Sequence, residues 1–250
     1  MNDPIRIQAR SVGRVEIDPD SHQVIDGERI ANRSFDGVEL EKFTAINSRF
    51  TNCTFVDARI RDACWGGGRK RTDYVECSFD GAQFGSISPG NARFVDCSFD
   101  NVRISEFFAR DIELIDCKFS GLLEKGFLNG RRDATKFRFF ERRRNKIEGN
   151  DFSECELRDF SFRTGIRLER GKLPSGPNYV FIDDLRSALE GARAHVAGWD
   201  SANDRRLGDA IIQSMEIDLK GGQRQQLYVV HDTGQFATVS KCLASFFASG

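Results

Sequence analysis

The chain has 250 residues, enough for one large domain or two smaller ones. Its 37 basic and 38 acidic residues leave a formal net charge of −1, so no overall field points to nucleic acid, membrane or an acidic substrate. The first residues and the rest of the sequence carry no apolar run typical of a signal peptide or membrane span, so we expect a cytoplasmic protein without membrane contact.

A five-residue period begins near residue 33, and we expect residues 1–32 to form an N-terminal cap. The central residue of most fives is bulky, and the residue two before it is small. Residues two apart on an extended segment face the same way, so both should point inward. Segments twenty residues apart repeat the pattern as YVECSFDGAQF (74–84), FVDCSFDNVRI (94–104) and LIDCKFSGLLE (114–124). At Phe43–Ala45 and Phe107–Ala109 the large and small residues exchange places, which conserves core volume.

This pattern resembles the pentapeptide-repeat family over about residues 33–121 and 150–164. The resemblance implies an all-β solenoid, a right-handed quadrilateral β-helix with four fives per coil, which we expect to span residues 33–170. Two interruptions are predicted, near 66–71 and 124–149. Cys77, Cys97 and Cys117 should form a straight inward ladder, which does not converge on one point as zinc ligands must. We therefore expect no metal in this ladder, and because neither a phosphate loop nor a dinucleotide fingerprint occurs, we expect no cofactor.

Three groups of outward residues are candidates for partner binding. The glycine-rich and basic segment 66–71 predicts a protruding loop that carries Arg69, Lys70 and Arg71. Glu76, Asp96 and Asp116 recur one coil apart and should stack on one face. Beside them Val75, Val95 and Ile115 should form an outward apolar stripe, either a solvated strand face or a docking surface for the C-terminal domain or another subunit.

The segment 125–146 contains nine basic and two acidic residues with phenylalanines between them. Such a composition can follow phosphates and stack bases, and Arg142, Arg143 and Arg144 are the candidate contacts. The alternative is a degraded coil, because Phe127, Phe137 and Ile147 stay in phase with Phe152.

The five-residue pattern disappears after Arg170, and LPSGPN (173–178) predicts a linker. Residues 178–250 are expected to form a smaller, mainly helical domain with helices over 182–199, 201–219 and 236–249 and a strand over 226–230. This domain should cap the last coil, although its last helix could instead form a homodimer contact.

No catalytic motif is present, so we expect a non-enzymatic interaction module that presents a rigid surface to a protein partner. Members of the family that the chain resembles imitate DNA and protect DNA gyrase or topoisomerase IV from quinolones, which makes a type II topoisomerase an alternative partner. Nucleic acid or an acidic surface, bound through segment 125–146, is the second alternative.

Overall fold

The chain winds into a parallel β-solenoid that is followed by three helices. The computed structural model describes residues 5–6, 22–131, 144–231 and 233–249. Sheet A contains, in spatial order, β1 (Ile5–Arg6), β2 (His22–Asp26), β4 (Glu39–Ile46), β6 (Arg59–Gly67), β8 (Gln83–Ser88), β10 (Ser98–Ala109), β12 (Lys118–Asn129) and β14 (Asp151–Arg163). Sheet B contains β3 (Arg29–Ala31), β5 (Arg49–Thr51), β7 (Thr72–Val75), β9 (Ala92–Val95), β11 (Glu113–Ile115) and β13 (Ile147–Glu148).

The register of the strands reproduces the period of the sequence. Tyr74 pairs with Phe94, and Phe94 pairs with Leu114, so each of these coils takes twenty residues. The predicted all-β solenoid of pentapeptide repeats, with a smaller helical region after it, is confirmed. The two exchanged pairs also behave as expected, because Phe43, Ala45, Phe107 and Ala109 are all buried.

The core is built from stacked aromatic rings. One phenylalanine per coil forms a continuous face-to-face column: Phe35, Phe55, Phe79, Phe99, Phe119 and Phe152. Neighbouring ring centroids are 4.4–4.9 Å apart and their planes differ by 5–14°. That distance matches the roughly 4.7–4.9 Å between hydrogen-bonded strands, so the ladder spacing sets the ring spacing.

A second, shorter column explains why phenylalanine outnumbers tyrosine in the core. Phe50, Tyr74 and Phe94 stack at 4.7 and 4.6 Å. The hydroxyl of Tyr74 is enclosed by the core and donates to the main-chain oxygen of Trp65 at 3.1 Å. A buried hydroxyl needs such an acceptor, whereas a phenylalanine ring needs none.

The coils begin earlier than the predicted start at residue 33. Strand β2 pairs with β4 and strand β3 pairs with β5, each with a shift of twenty residues. Residues 22–31 therefore continue the solenoid. The buried positions in this part of the sequence are Gln23, Ile25 and Ile30, and the period is hidden because no phenylalanine, tyrosine or tryptophan marks it.

The second interruption is shorter than the predicted 124–149. Strand β12 continues through Asn129, and Leu123 and Leu128 pair with Leu157 and Phe162 of β14. The cause is a one-residue deletion at a corner, because Phe99 pairs with Phe119 but Val102 pairs with Gly121. Counting five residues on from Phe119 therefore gives Glu124 as the next core position, whereas the residue in the core is Leu123. Phe127, which the count in fives places in phase with Phe152, lies outside the core for the same reason, and its ring packs against Phe108.

The C-terminal region contains an antiparallel pair of strands and three helices. Strand β15 (Tyr179–Ile182), which the sequence did not reveal, pairs with β16 (Gln226–Val229). The helices are α1 (Leu185–Ala197), α2 (Ala202–Lys220) and α3 (Ala237–Ser249). The side chains of Asp184 and Ser201 accept from main-chain N–H groups of the first turns of α1 and α2, which fixes where these helices begin.

This region covers the last coil through polar contacts with its main chain. Buried Gln223 accepts from the N–H groups of Gly165 and Ile166 at 2.9 and 3.0 Å. The hydroxyl of Tyr179 accepts from the N–H of Leu157 at 2.9 Å, and Leu227 is buried in the core of the solenoid. Main-chain groups at the end of the β-helix are thereby satisfied, and part of its edge is closed to strand addition.

We expect the phenylalanine column to dominate stability. Replacing Phe79, fully buried between Phe55 and Phe99, by Ala should lower the free energy of unfolding by about 3–5 kcal/mol, because it leaves a ring-sized cavity. Phe79→Leu should lower it by less than half as much. The control Phe108→Ala, at a ring that is 42% exposed, should lower it by less than about 1 kcal/mol. Urea unfolding of the three variants measures these differences, and equal losses at both sites would contradict a stacked core.

Candidate interaction surfaces

The predicted acidic column lies at one corner of the solenoid. Glu76, Asp96 and Asp116 are exposed and stand directly after strands β7, β9 and β11, one coil apart. Their φ angles are 53°, 51° and 53°, in the left-handed region. Asn32 and Asn52 precede them in the same column, and Gly149 follows.

Backbone conformation accounts for much of this column. Left-handed φ angles favour Gly, Asn and Asp, the residue types at five of the six positions. Asp96 and Asp116 therefore satisfy a turn requirement as well as supplying charge. Glutamate is not among the residues that left-handed φ angles favour, so the turn does not explain Glu76. Its negative charge is therefore not required by the backbone conformation.

The apolar stripe lies on sheet B beside this column. Val75 pairs with Val95, and Val95 pairs with Ile115, so the three side chains follow one another in register. All three are partly exposed. The described contacts of the C-terminal region fall on β14 and on residues 163–166, so they leave this stripe open.

A ladder of alternating charges runs along the other side of the stripe. Asp73 accepts hydrogen bonds from Arg71 at 2.9 Å and from Arg93 at 3.0 Å, and Arg49 approaches it at 3.8 Å. Arg71 also donates to the nearly buried carboxylate of Glu113 at 3.0 Å. The predicted partner residue Arg71 therefore lies within the face of the sheet and links two coils.

The loop predicted over residues 66–71 contains fewer residues in the structure. Gly66 and Gly67 belong to strand β6, and a side chain at Gly66 would collide with the main chain at residues 89–92. The insertion starts at Gly68, where φ is +83°. Arg69 and Lys70 are exposed, while the main-chain N–H of Lys70 donates to Asn47 at 2.9 Å. This loop is short and is held to the solenoid by its main chain.

The basic insertion is described only at its base. Arg131 and Arg144 form an antiparallel bridge, and Arg144 is exposed. The side chain of Asn145 donates to the main-chain oxygens of Arg110 and Asn129 at 2.8 and 2.7 Å, which anchors the returning chain. The candidates Arg142 and Arg143, and Phe137, lie outside the described residues.

The cysteine ladder is buried in the core beside the phenylalanine column. Each ladder thiol approaches a main-chain oxygen, for example Cys97 to Val95 at 3.4 Å. The neighbouring Cys117 thiol, together with burial, holds the pKa of Cys97 above its usual range, and burial raises the pKa of Cys155 to about 12. The raised pKa values of Cys97 and Cys155 favour the protonated thiol at neutral pH, which is the less nucleophilic form. Among the residues that the structure describes, no three His, Cys, Asp or Glu side chains group as metal ligands would.

A cavity of about 350 Å³ lies between β14 and the C-terminal region, and no pattern in the sequence indicates it. Its apolar wall is formed by residues of both units, among them Phe160, Ile211, Met215, Leu227 and Phe236. Its polar groups include Asp218 of α2, Arg163 and Asp159 of β14, and His231, whose Nδ1 lies 2.8 Å from Asp159. These residues are separated by up to 72 positions, so no local motif could have revealed the site.

Asp218 is the unusual group of this cavity. It is 6% exposed, and its ion-pair partner among the described residues, Arg163, lies 3.8 Å away, too far for a hydrogen bond. Arg163 is engaged elsewhere, since its Nε donates to Ser161 at 2.6 Å and its guanidinium stacks over Phe127. Burial raises the pKa of Asp218 to about 6, and the charge of Arg163 offsets only part of this effect.

The geometry of the coils defines the chain as a parallel β-solenoid built from five-residue repeats. No protein-family model and no curated protein matches the sequence. Among solved structures, full-length QnrB1, a plasmid-mediated fluoroquinolone resistance protein, is 15% identical and covers 60% of this chain and 81% of that chain, with a TM-score of 0.18. A trypsin-treated variant of QnrB1 is 15% identical, covers 68% and 89%, and has a TM-score of 0.24.

The fold is defined by the strand register and the buried columns of this chain. None of the helices in the described part of the chain is long and apolar enough to cross a membrane.

The environment of Asp218 predicts a pH-dependent stability difference. Its folded pKa lies above that of an unfolded chain, so the folded state holds the proton more tightly and loses stability as pH rises from about 4 to 6. Asp218→Asn removes the buried charge and should raise the free energy of unfolding at pH 7.5 by roughly 1–3 kcal/mol. At pH 4 the two proteins should differ little. Denaturant unfolding at both pH values tests this, and destabilisation of the variant at pH 7.5 would contradict it.

Proposed function

We propose that this protein is a non-enzymatic interaction module that binds a protein partner through one face of its solenoid. The face consists of the stripe Val75, Val95 and Ile115 together with the acidic column Glu76, Asp96 and Asp116. The observation that carries the proposal is the alignment of three partly exposed apolar side chains, in register, on a face that the C-terminal region leaves uncovered.

The arrangement favours a partner of a particular chemistry. Adjacent strands fix the three apolar side chains at the spacing of the ladder, so little side-chain or backbone freedom is lost on binding. The carboxylates beside them are exposed and would steer a basic surface toward the stripe. We therefore infer a partner with an apolar ridge that is flanked by lysine or arginine.

Replacing Val75, Val95 and Ile115 together by Thr tests this proposal. Threonine keeps the β-branched shape but removes apolar surface, so partner affinity should fall at least about tenfold while the fold persists. The partner is captured by the unmodified chain from its host extract, identified, and its affinity measured by titration.

The matched control replaces Gln83, Arg103 and Leu122 by Thr, three outward residues that are paired in register on sheet A. It should leave the affinity unchanged. Equal binding by both triple variants would refute the proposed face.

A second candidate function is imitation of duplex DNA at DNA gyrase or topoisomerase IV. The exposed, evenly spaced carboxylates of Glu76, Asp96 and Asp116 favour it. The alternating ladder of Arg49, Asp73 and Arg93 on the same sheet opposes it, since a DNA mimic needs a continuous acidic surface.

A supercoiling assay tests the second candidate. If it holds, the protein at micromolar concentration should restore gyrase supercoiling in the presence of a quinolone, and replacing Glu76, Asp96 and Asp116 by Asn should remove the effect. Asparagine suits the left-handed backbone at these corners, so the variant changes charge without straining the turn. Absence of any effect of the unmodified protein on both enzymes would exclude this function.

A further inference from the structure

We propose that the cavity between β14 and the C-terminal region binds a small organic cation, an amine or amidine carried on an apolar body. This site is separate from the proposed partner face on sheet B. It involves both structural units of the chain, and the proposal does not depend on the interaction function.

The size and lining of the cavity fit a small molecule. Its volume of about 350 Å³ falls at the lower end of the range that ligand sites occupy, roughly 300–1,000 Å³. Ile211 and Met215 of α2, Leu227 of β16 and the ring of Phe236 form an apolar wall. Sites of this kind occur preferentially where two units meet and combine an apolar wall with a few polar groups.

The polar groups of the wall include acceptors that lack donors. The nearly buried carboxylate of Asp218 has no hydrogen bond from the residues that the structure describes, and Arg163 at 3.8 Å is held by Ser161 and Phe127. The side-chain oxygen of Gln226, in the same wall, is buried without a donor among the described residues. A nearly buried carboxylate without a donor is unfavourable, and a cationic ligand in the cavity would donate to the carboxylate of Asp218.

The charges around the cavity favour a cation. Asp218 and Asp159 are acidic, Arg163 is the one permanently basic group, and His231 is bound to Asp159. Apart from His231, two carboxylates face one guanidinium, and one positive charge on a ligand would balance the excess carboxylate. An anion would be repelled by both carboxylates. A metal ion would need several converging oxygen ligands, and no such group occurs among the described residues.

Benzamidine is a suitable probe, with benzamide as its neutral counterpart of the same shape. Titration of the full chain at pH 7.5, followed by calorimetry, should show saturable binding of benzamidine. Benzamide should bind at least about tenfold more weakly, because it lacks the charge that pairs with Asp218. The Asp218→Asn variant should bind benzamidine no more tightly than benzamide. The Asp209→Asn variant, changed at an exposed position on the same helix, should keep the affinity of the unmodified chain for benzamidine.

Thermal unfolding provides a second readout for the same variants. Benzamidine should raise the melting temperature of the unmodified chain and of Asp209→Asn, but not that of Asp218→Asn, which remains folded. Three results would each overturn the proposal: no saturable binding of benzamidine, equal affinity for benzamide, or unchanged affinity in Asp218→Asn.

Discussion

The whole structure depends on the match between the thickness of an aromatic ring and the distance between hydrogen-bonded strands. In the column from Phe35 to Phe152 the centroids lie 4.4–4.9 Å apart, close to the separation of adjacent strands. Main-chain ladders and ring contacts therefore favour the same coil spacing. Face-to-face stacking is not the preferred geometry of an isolated aromatic pair, and edge contacts with the second column, such as Tyr74 with Phe79, supply the favourable orientation.

Much of this architecture can be predicted from the sequence because the constraint is local and repeats. A large inward residue every fifth position and a small one two places earlier were sufficient to identify the coils. The three C-terminal helices could be predicted from their apolar faces, and their observed bounds differ from the predicted ones by a few residues. The failures occur where the repeat changes length. A single-residue deletion between Phe119 and Gly121 shifted Leu123 and Leu128 into the core and placed Phe127 outside.

The candidate sites were less accessible to prediction than the fold, for a physical reason. The stripe and the acidic column could be located because they follow the register of the coils. Their charges could not be interpreted without φ angles, since the turn alone favours Asp96 and Asp116. Arg71 looked like a free loop cation in the sequence, but it binds Asp73 and Glu113 across two coils. The cavity around Asp218 arises from contacts between segments that are distant in the sequence. Such contacts produce no repeating pattern from which the site could be predicted.

The solenoid and its junction with the C-terminal region differ in how completely their polar groups are hydrogen-bonded, and this difference bears on function. In the solenoid, ladders, ring columns and cross-coil ion pairs leave little freedom, which suits a surface that acts by shape. At the junction with the C-terminal region, Gln223 and Tyr179 satisfy the main chain of the last coil. Beside them, no described residue donates a hydrogen bond to the nearly buried carboxylate of Asp218 or to the buried side-chain oxygen of Gln226. We infer that this junction, rather than the regular prism, is where a small molecule could alter the stability of the protein.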